Sequence, residues 1–199
     1  MKKLLASILA VMLVMAMTSC SGGNSGASGG DQAAQQNTDD KSIVVYFSCT
    51  GNTKAVAEEI AAQTGSDLHE IVPEEPYTEE DLNYNDDNCR ANAEMNDPES
   101  RPAISNTIEN LSDYDTIYIG YPIWWGSLPR IMNTFFDTYD FSGKTIVPFC
   151  TSGSSSISQS VSVIREAEPE AQVKEGLQVS SSGADDSSDE VSRWLEEIK

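Results

Sequence analysis

The chain has 199 residues, 12 of them basic and 32 acidic, for a formal net charge of −20. That excess of carboxylates excludes duplex nucleic acid and anionic lipid headgroups as direct partners, since both are held through Lys and Arg. Apolar side chains make up 39% of the chain, enough for a core, while a single histidine, His69, leaves little basis for a His-rich metal centre or a Ser-His-Asp hydrolase.

Lys2 and Lys3 precede a 14-residue run, Leu4 to Met17, broken only by Ser7. This is the basic region and apolar region of a secretory signal, too short for a membrane span. The run ends in Met17-Thr18-Ser19-Cys20, which resembles a bacterial lipobox with Met17 where Leu is usual. The resemblance implies that residues 1–20 are a lipoprotein signal peptide and that Cys20 is lipidated. The chain is then held outside the cytoplasmic membrane, each buried acyl methylene contributing ~0.8 kcal/mol. An ordinary cleaved signal with an incidental cysteine is the alternative. Losing Lys2 and Lys3 leaves 10 basic residues against 32 acidic. Residues 21–41 carry five glycines and no large apolar side chain, so they read as a flexible tether with a reach of ~25 Å.

Residues 42–199 alternate short apolar runs with helical patterns. Ile43 to Phe47 is a continuous β-branched and aromatic run, the mark of a strand buried on both faces. Val56 and Ile60, backed by Ala57 and Ala61, predict a helix from about Asn52 to Thr64. Leu68 to Val72 reads as a second strand, about Ala103 to Leu111 as a helical stretch, and Thr116 to Ile119 as a third strand. Leu128, Ile131, Met132, Phe135, Phe136 and Tyr139 then fall at spacings 0, 3, 4, 7, 8 and 11, the cleanest helix in the chain. Thr145 to Cys150 is a fourth strand, Ile157 to Ile164 a weaker helix, Gln172 to Val179 a fifth strand, and Val191 to Ile198 a terminal helix. Strand and helix alternating in this way predict a parallel sheet covered by helices on both faces. Pro148 lies inside the fourth strand, so a bulge or one unmade ladder bond is expected there.

In such sheets ligands sit beyond the carboxyl ends of the strands, so the loops there carry the functional signal. Ser48-Cys49-Thr50-Gly51-Asn52-Thr53 links the first strand to a helix start. A helix start has unpaired N–H groups and positive dipole, and three hydroxyls add donors for an anion without any Lys or Arg. The plain alternative is a strand-to-helix turn with one Asn or Thr cap, which three hydroxyls in six positions exceed. Pro122-Ile123-Trp124-Trp125-Gly126 follows the third strand. Two adjacent tryptophans cannot both enter one core, so one plugs the end of the sheet and the other offers flat surface to a planar ring. Thr151-Ser152-Gly153 follows the fourth strand, hydroxyl-rich again.

The first loop resembles the flavodoxin phosphate loop, Ser/Thr-x-Thr-Gly-x-Thr, and the other two loops follow in the order found in a flavodoxin-like family that includes secreted lipoproteins. The resemblance covers most of 42–199. It implies an α/β fold, a doubly wound five-stranded parallel sheet of order 2-1-3-4-5 in three α/β/α layers, and bound FMN. Carried over, Ser48, Thr50, Gly51, Asn52 and Thr53 hold the phosphate. Pro122, Ile123, Trp124, Trp125 and Gly126 line the flavin ring, and Thr151, Ser152 and Gly153 complete the pocket. It also implies a redox protein, a low-potential electron carrier or small flavin reductase that meets a basic partner protein or a small electron acceptor. A non-catalytic lipoprotein binding a phosphorylated small molecule on the same scaffold is the competing expectation.

The segment from Pro73 to Glu99 holds ten acidic residues and one basic, Arg90, and reads mostly as solvated acidic loop. Tyr77, Tyr84 and Arg90 are the residues in it with the reach to cover a ligand. Asp81, Asn83 and Asn85 mimic the start of a calcium loop, but Asp86 replaces its glycine and Asn92 its bidentate glutamate. Gly143-Lys144-Thr145 precedes a strand rather than a helix, so it is a turn and not a nucleotide loop. A phosphorylated receiver would place Asp at the end of the third strand, where this chain has Tyr121-Pro122. Cys49 and Cys150 end strands separated by a third, ~9.6 Å apart, too far for a disulfide. Buried thiols are expected, with Cys49 at a helix start a candidate for a lowered pKa.

Overall fold

A computed structural model describes residues 41–199; the signal, Cys20 and the tether up to residue 40 lie outside the described residues. The elements run in order β1 (Ser42–Tyr46), α1 (Asn52–Thr64), β2 (Asp67–Glu70), α2 (Arg90–Asn96), β3 (Thr116–Pro122), α3 (Arg130–Thr138), β4 (Thr145–Ser152), α4 (Ser158–Ala167), β5 (Gln172–Val173), β6 (Leu177–Ser180) and α5 (Ser188–Glu197). The named strands pair in parallel, in the order β2-β1-β3-β4-β5, with β6 also on β4. This is the doubly wound three-layer architecture expected from the sequence. Alternate strand residues point to opposite faces, which gives the sheet two cores. Ile43, Val45, Phe47, Ile117, Ile119, Ile146 and Cys150 pack with α3 and α4 residues such as Ile131, Phe135, Val161 and Ile164. Val44, Tyr46, Val147 and Phe149 pack with Val56 and Ile60 of α1 and with Val191, Trp194 and Leu195 of α5. Covering both faces is what makes β1 and β4 continuous apolar runs.

Three expectations need correction. The stretch Ala103 to Leu111 is not a helix. Ile104 makes an antiparallel bridge to Pro73, the Ser105 N–H donates to the Val72 carbonyl, and Asn106 accepts from the Val72 N–H while donating to the Glu70 carbonyl. Its backbone bonds go to the chain leaving β2, and only Leu111–Asp113 turns, as one 3-10 turn. The isoleucines at 104 and 108 reach the core from an extended chain that mimics an i, i+4 pair. The helix of this region is α2, seven residues within the acidic segment. β2 is shorter than expected, ending at Glu70, and leaves Leu68 43% exposed, as befits an edge.

The fifth strand is split, and Pro148 is the cause. β5 pairs Gln172 with Thr145 and Val173 with Ile146, but β6 resumes with Leu177 opposite Phe149, one residue out of step. The extra residue is a bulge, placed where Pro148 has no N–H to offer. Gly176 fills the gap: a Cβ there would stand 3.1 Å from the Pro148 carbonyl oxygen and 2.6 Å from Ile157 Cδ1. On the other side of β4 the register with β3 runs unbroken through Ile119 and Pro148.

Candidate functional site

The ends of β1, β3 and β4 open onto a cavity of about 340 Å³, within the range of small-molecule sites. Two bonds knit its three loops together. The Ile123 N–H donates to the Thr151 carbonyl at 2.9 Å, and the Thr53 and Thr151 hydroxyls share a hydrogen bond at 2.8 Å. Both threonines are 2% exposed, so this link between the start of α1 and the end of β4 is out of competition with water.

At the first loop the Gly51 N–H donates to Ser48 Oγ at 3.2 Å, and Gly51 takes φ 90°, a left-handed conformation open to glycine. This turn sets the axis of α1. Among the described residues no side chain caps α1, so the N–H groups of its first turn stay available to a ligand at the cleft. The second loop closes on itself: Trp124 and Ser127 exchange two backbone hydrogen bonds of 2.9 Å around Trp125 (φ 46°) and Gly126 (φ 80°). Two left-handed residues inside a two-residue hairpin make a type I′ turn. Glycine suits it; Trp125 occupies it at a cost on the order of 1–3 kcal/mol. The two tryptophans part company in burial as expected, but it is the buried Trp124 that lines the cavity and the exposed Trp125 that does not. Trp124 is 3% exposed and stands edge-on to Phe47 and Tyr77 at 5.7 and 5.3 Å, whereas Trp125 is 43% exposed and, among the aromatic rings of the described residues, pairs with Tyr84 at 5.0 Å and with its neighbour.

The cavity wall brings together Ser48, Thr50, Asn52, Thr53, Pro122, Ile123, Trp124, Thr151, Ser152 and Gly153 from the residues anticipated in the sequence. Gly51, Trp125 and Gly126 are not part of that wall; they form the turns that present it. Cys49, Leu82, Tyr84 and Ser181 also line it. Tyr84 was legible as an aromatic in a long segment, whereas Leu82 and Ser181 carried no signal. Among the described residues no Lys or Arg is on the wall, so its donors are neutral: hydroxyls, the Asn52 amide and backbone N–H groups.

The acidic segment is built rather than loose at its core. The Arg90 guanidinium lies 4.0 Å above the Tyr77 ring, its Nε donates to Glu94 Oε1 at 2.7 Å, and the Tyr77 hydroxyl donates to Glu94 Oε2 at 2.6 Å. Burial, then the bond to Glu94 and its charge, push the Tyr77 phenol far above its ordinary range. The calcium-like residues turn inward instead of converging: Asp81 accepts from the Thr78 N–H and hydroxyl, Asn83 from the Asn85 N–H, and Asp86 from the Asn88 N–H. Cys49, Cys89 and Cys150 are free thiols. The candidate lowered pKa of Cys49 is overturned: burial pushes its thiol up to about 12, with Arg90 pulling it down and Glu94 up by lesser amounts. Desolvation of the thiolate is the largest cause.

Residues 41–198 match the family model described as flavodoxin. The chain is 43% identical to a protein of Bacteroides eggerthii, provisionally described as a flavoprotein, over 79% of this chain and 97% of that one, with a TM-score of 0.72. A Bacteroides uniformis protein of the same description is 42% identical, covering 79% and 98%, with a TM-score of 0.74. A flavoprotein of Lactobacillus acidophilus, solved in complex with FMN, is 25% identical over 77% of this chain and 99% of that one, with a TM-score of 0.58. Among curated proteins, none matches.

Proposed function

The chain belongs to the flavodoxin family, and from that premise we propose that residues 42–199 bind FMN in the cleft and serve as a low-potential electron carrier or small flavin reductase. One observation carries the reading. Three hydroxyl- and aromatic-bearing loops meet at the carboxyl edge of a parallel sheet, on the uncapped start of a helix. The FMN held by the Lactobacillus acidophilus relative supports the choice of ligand.

In this reading Ser48, Thr50, Gly51, Asn52 and Thr53 hold the phosphate through hydroxyls and backbone N–H groups. Pro122, Ile123 and Trp124 line the flavin ring from the wall, Trp125 and Gly126 turn the loop that presents them at its rim, and Thr151, Ser152 and Gly153 close the pocket. The flavin, when bound, supplies the electron chemistry; the protein orients it and sets its field. A formal charge of −20 disfavours the negative charge that reduction adds, which keeps the potential low and suits a basic partner protein or a small electron acceptor. Lipidation at Cys20 and the 21-residue tether would hold the domain on a bacterial membrane, outside the cytoplasm.

The test is the colour of the purified 42–199 fragment, which contains all the β-strands and α-helices described. Absorbance near ~450 nm that bleaches with dithionite is expected, because that band is the flavin's own. A colourless fragment that fails to take up added FMN would refute the reading and favour a non-redox binder of a phosphorylated small molecule.

A further inference from the structure

We propose that Glu94 masks the charge of Arg90 one aromatic ring behind the cleft wall, and that this masking holds down the electron affinity of the bound flavin. The proposal rests on the flavin reading above. Trp124 lines the cleft, the Tyr77 ring stands edge-on behind it at 5.3 Å, and the Arg90 guanidinium lies on the Tyr77 ring at 4.0 Å. The guanidinium is held there by three partners: the Tyr77 ring, Glu94 through its Nε, and the Glu75 carbonyl through Nη1 at 2.8 Å. The two charged side chains are 23% and 12% exposed, so water screens them poorly. Cys49, on the cleft wall itself, feels both charges with opposite sign.

Poor screening makes the balance between the two groups matter at the cleft. With the pair intact, the two fields oppose each other there. Reduction of the flavin adds negative charge, so an unmasked guanidinium favours the reduced form and an unmasked carboxylate disfavours it. Arg90 and Glu94 thus act as positioning residues for charge, touching no reacting atom. A merely structural pin for the acidic segment would behave differently. Loss of either partner would then weaken oxidised and reduced flavin alike.

The experiment measures the midpoint potential and the affinity of oxidised FMN in the full chain and in Glu94→Gln, Arg90→Gln and the double variant. Glu94→Gln keeps the shape and the hydrogen-bonding reach of the side chain. It is expected to strengthen reduced over oxidised flavin by about tenfold, roughly 30 mV for a two-electron couple. Arg90→Gln is expected to shift the ratio the opposite way, and the double variant to return toward the parent. Shifts of the same sign in both single variants, or no shift in either, overturn the proposal. A second readout needs no flavin: alkylation of Cys49 in the flavin-free chain should speed up in Glu94→Gln and slow in Arg90→Gln, in proportion to the thiolate present. Equal rates in all variants overturn the proposal by that route. If the parent chain takes up no FMN, the function proposed above fails, and the alkylation rates alone decide whether this pair governs the field at the cleft.

Discussion

Thr53→Val tests the site most directly, because in the proposed reading one hydroxyl serves both the fold and the ligand. The Thr53 and Thr151 oxygens are 2.8 Å apart and both residues are 2% exposed. Valine keeps the shape of threonine, so no cavity opens. The cost is instead a Thr151 hydroxyl left buried without its partner, on the order of 1–3 kcal/mol of stability. Removing both hydroxyls leaves nothing unsatisfied, so Thr53→Val/Thr151→Val should be more stable than the sum of the single losses implies. Ligand binding separates the roles further. A hydrogen bond to a charged phosphate contributes ~1.5–3 kcal/mol, so FMN affinity should drop roughly 10- to 150-fold in Thr53→Val. Riboflavin has the same ring and no phosphate, and its affinity should barely change. Urea unfolding of the single and double variants, with fluorescence titrations of both flavins, supplies every number. Equal losses for FMN and riboflavin would refute the phosphate assignment, and additive stability losses would refute the shared hydroxyl bond.

Trp125→Asn places the residue best suited to the first position of a type I′ turn where φ is now 46°. Its unfolding midpoint should hold or rise while flavin affinity falls several-fold; a less stable protein with unchanged affinity would contradict the assignment. Cys49, with its thiol near 12, should resist iodoacetamide at pH 8 and react about tenfold faster with each pH unit up to that value. A rate that levels off below pH 9 would show an activated thiol instead. His69 is the one histidine, and burial lowers its pKa below 6.5. The folded state therefore binds fewer protons there than the unfolded chain, and stability falls as pH drops through 6.5 toward the folded value. Proton NMR of the single imidazole reads that value directly; a pKa of 6.5 would abolish the effect and one above 6.5 would reverse its sign.

Much of the architecture was legible in particular residues. Ile43 to Phe47 could be placed because a strand buried on both faces needs apolar side chains of both parities, and the structure divides them between its two cores. α3 was legible because Ile131, Met132, Phe135 and Phe136 return to one face every three or four residues, and all four are buried. The three loops were legible because hydroxyls and glycines concentrate where strands end. Ile104 and Ile108 misled because a pair spaced by four carries no record of whether the chain between them coils or extends. Asn106, bonded to the Glu70 carbonyl and the Val72 N–H, decided for extension. Leu82 and Ser181 reach the cleft from segments distant in sequence, and only the folded chain brings them there.

Local chemistry along the chain thus determined the layers, the helix faces, the Pro148 defect and the three loops around which a ligand fits, since each depends on spacing and residue type over a few positions. Only the tertiary structure decided which tryptophan is buried, how the edge strand splits around Gly176, that Cys49 is protonated rather than activated, and that Arg90 and Glu94 stand together behind Trp124. Those outcomes depend on desolvation and on charges brought together from separate segments, quantities that exist only once the chain has closed around them.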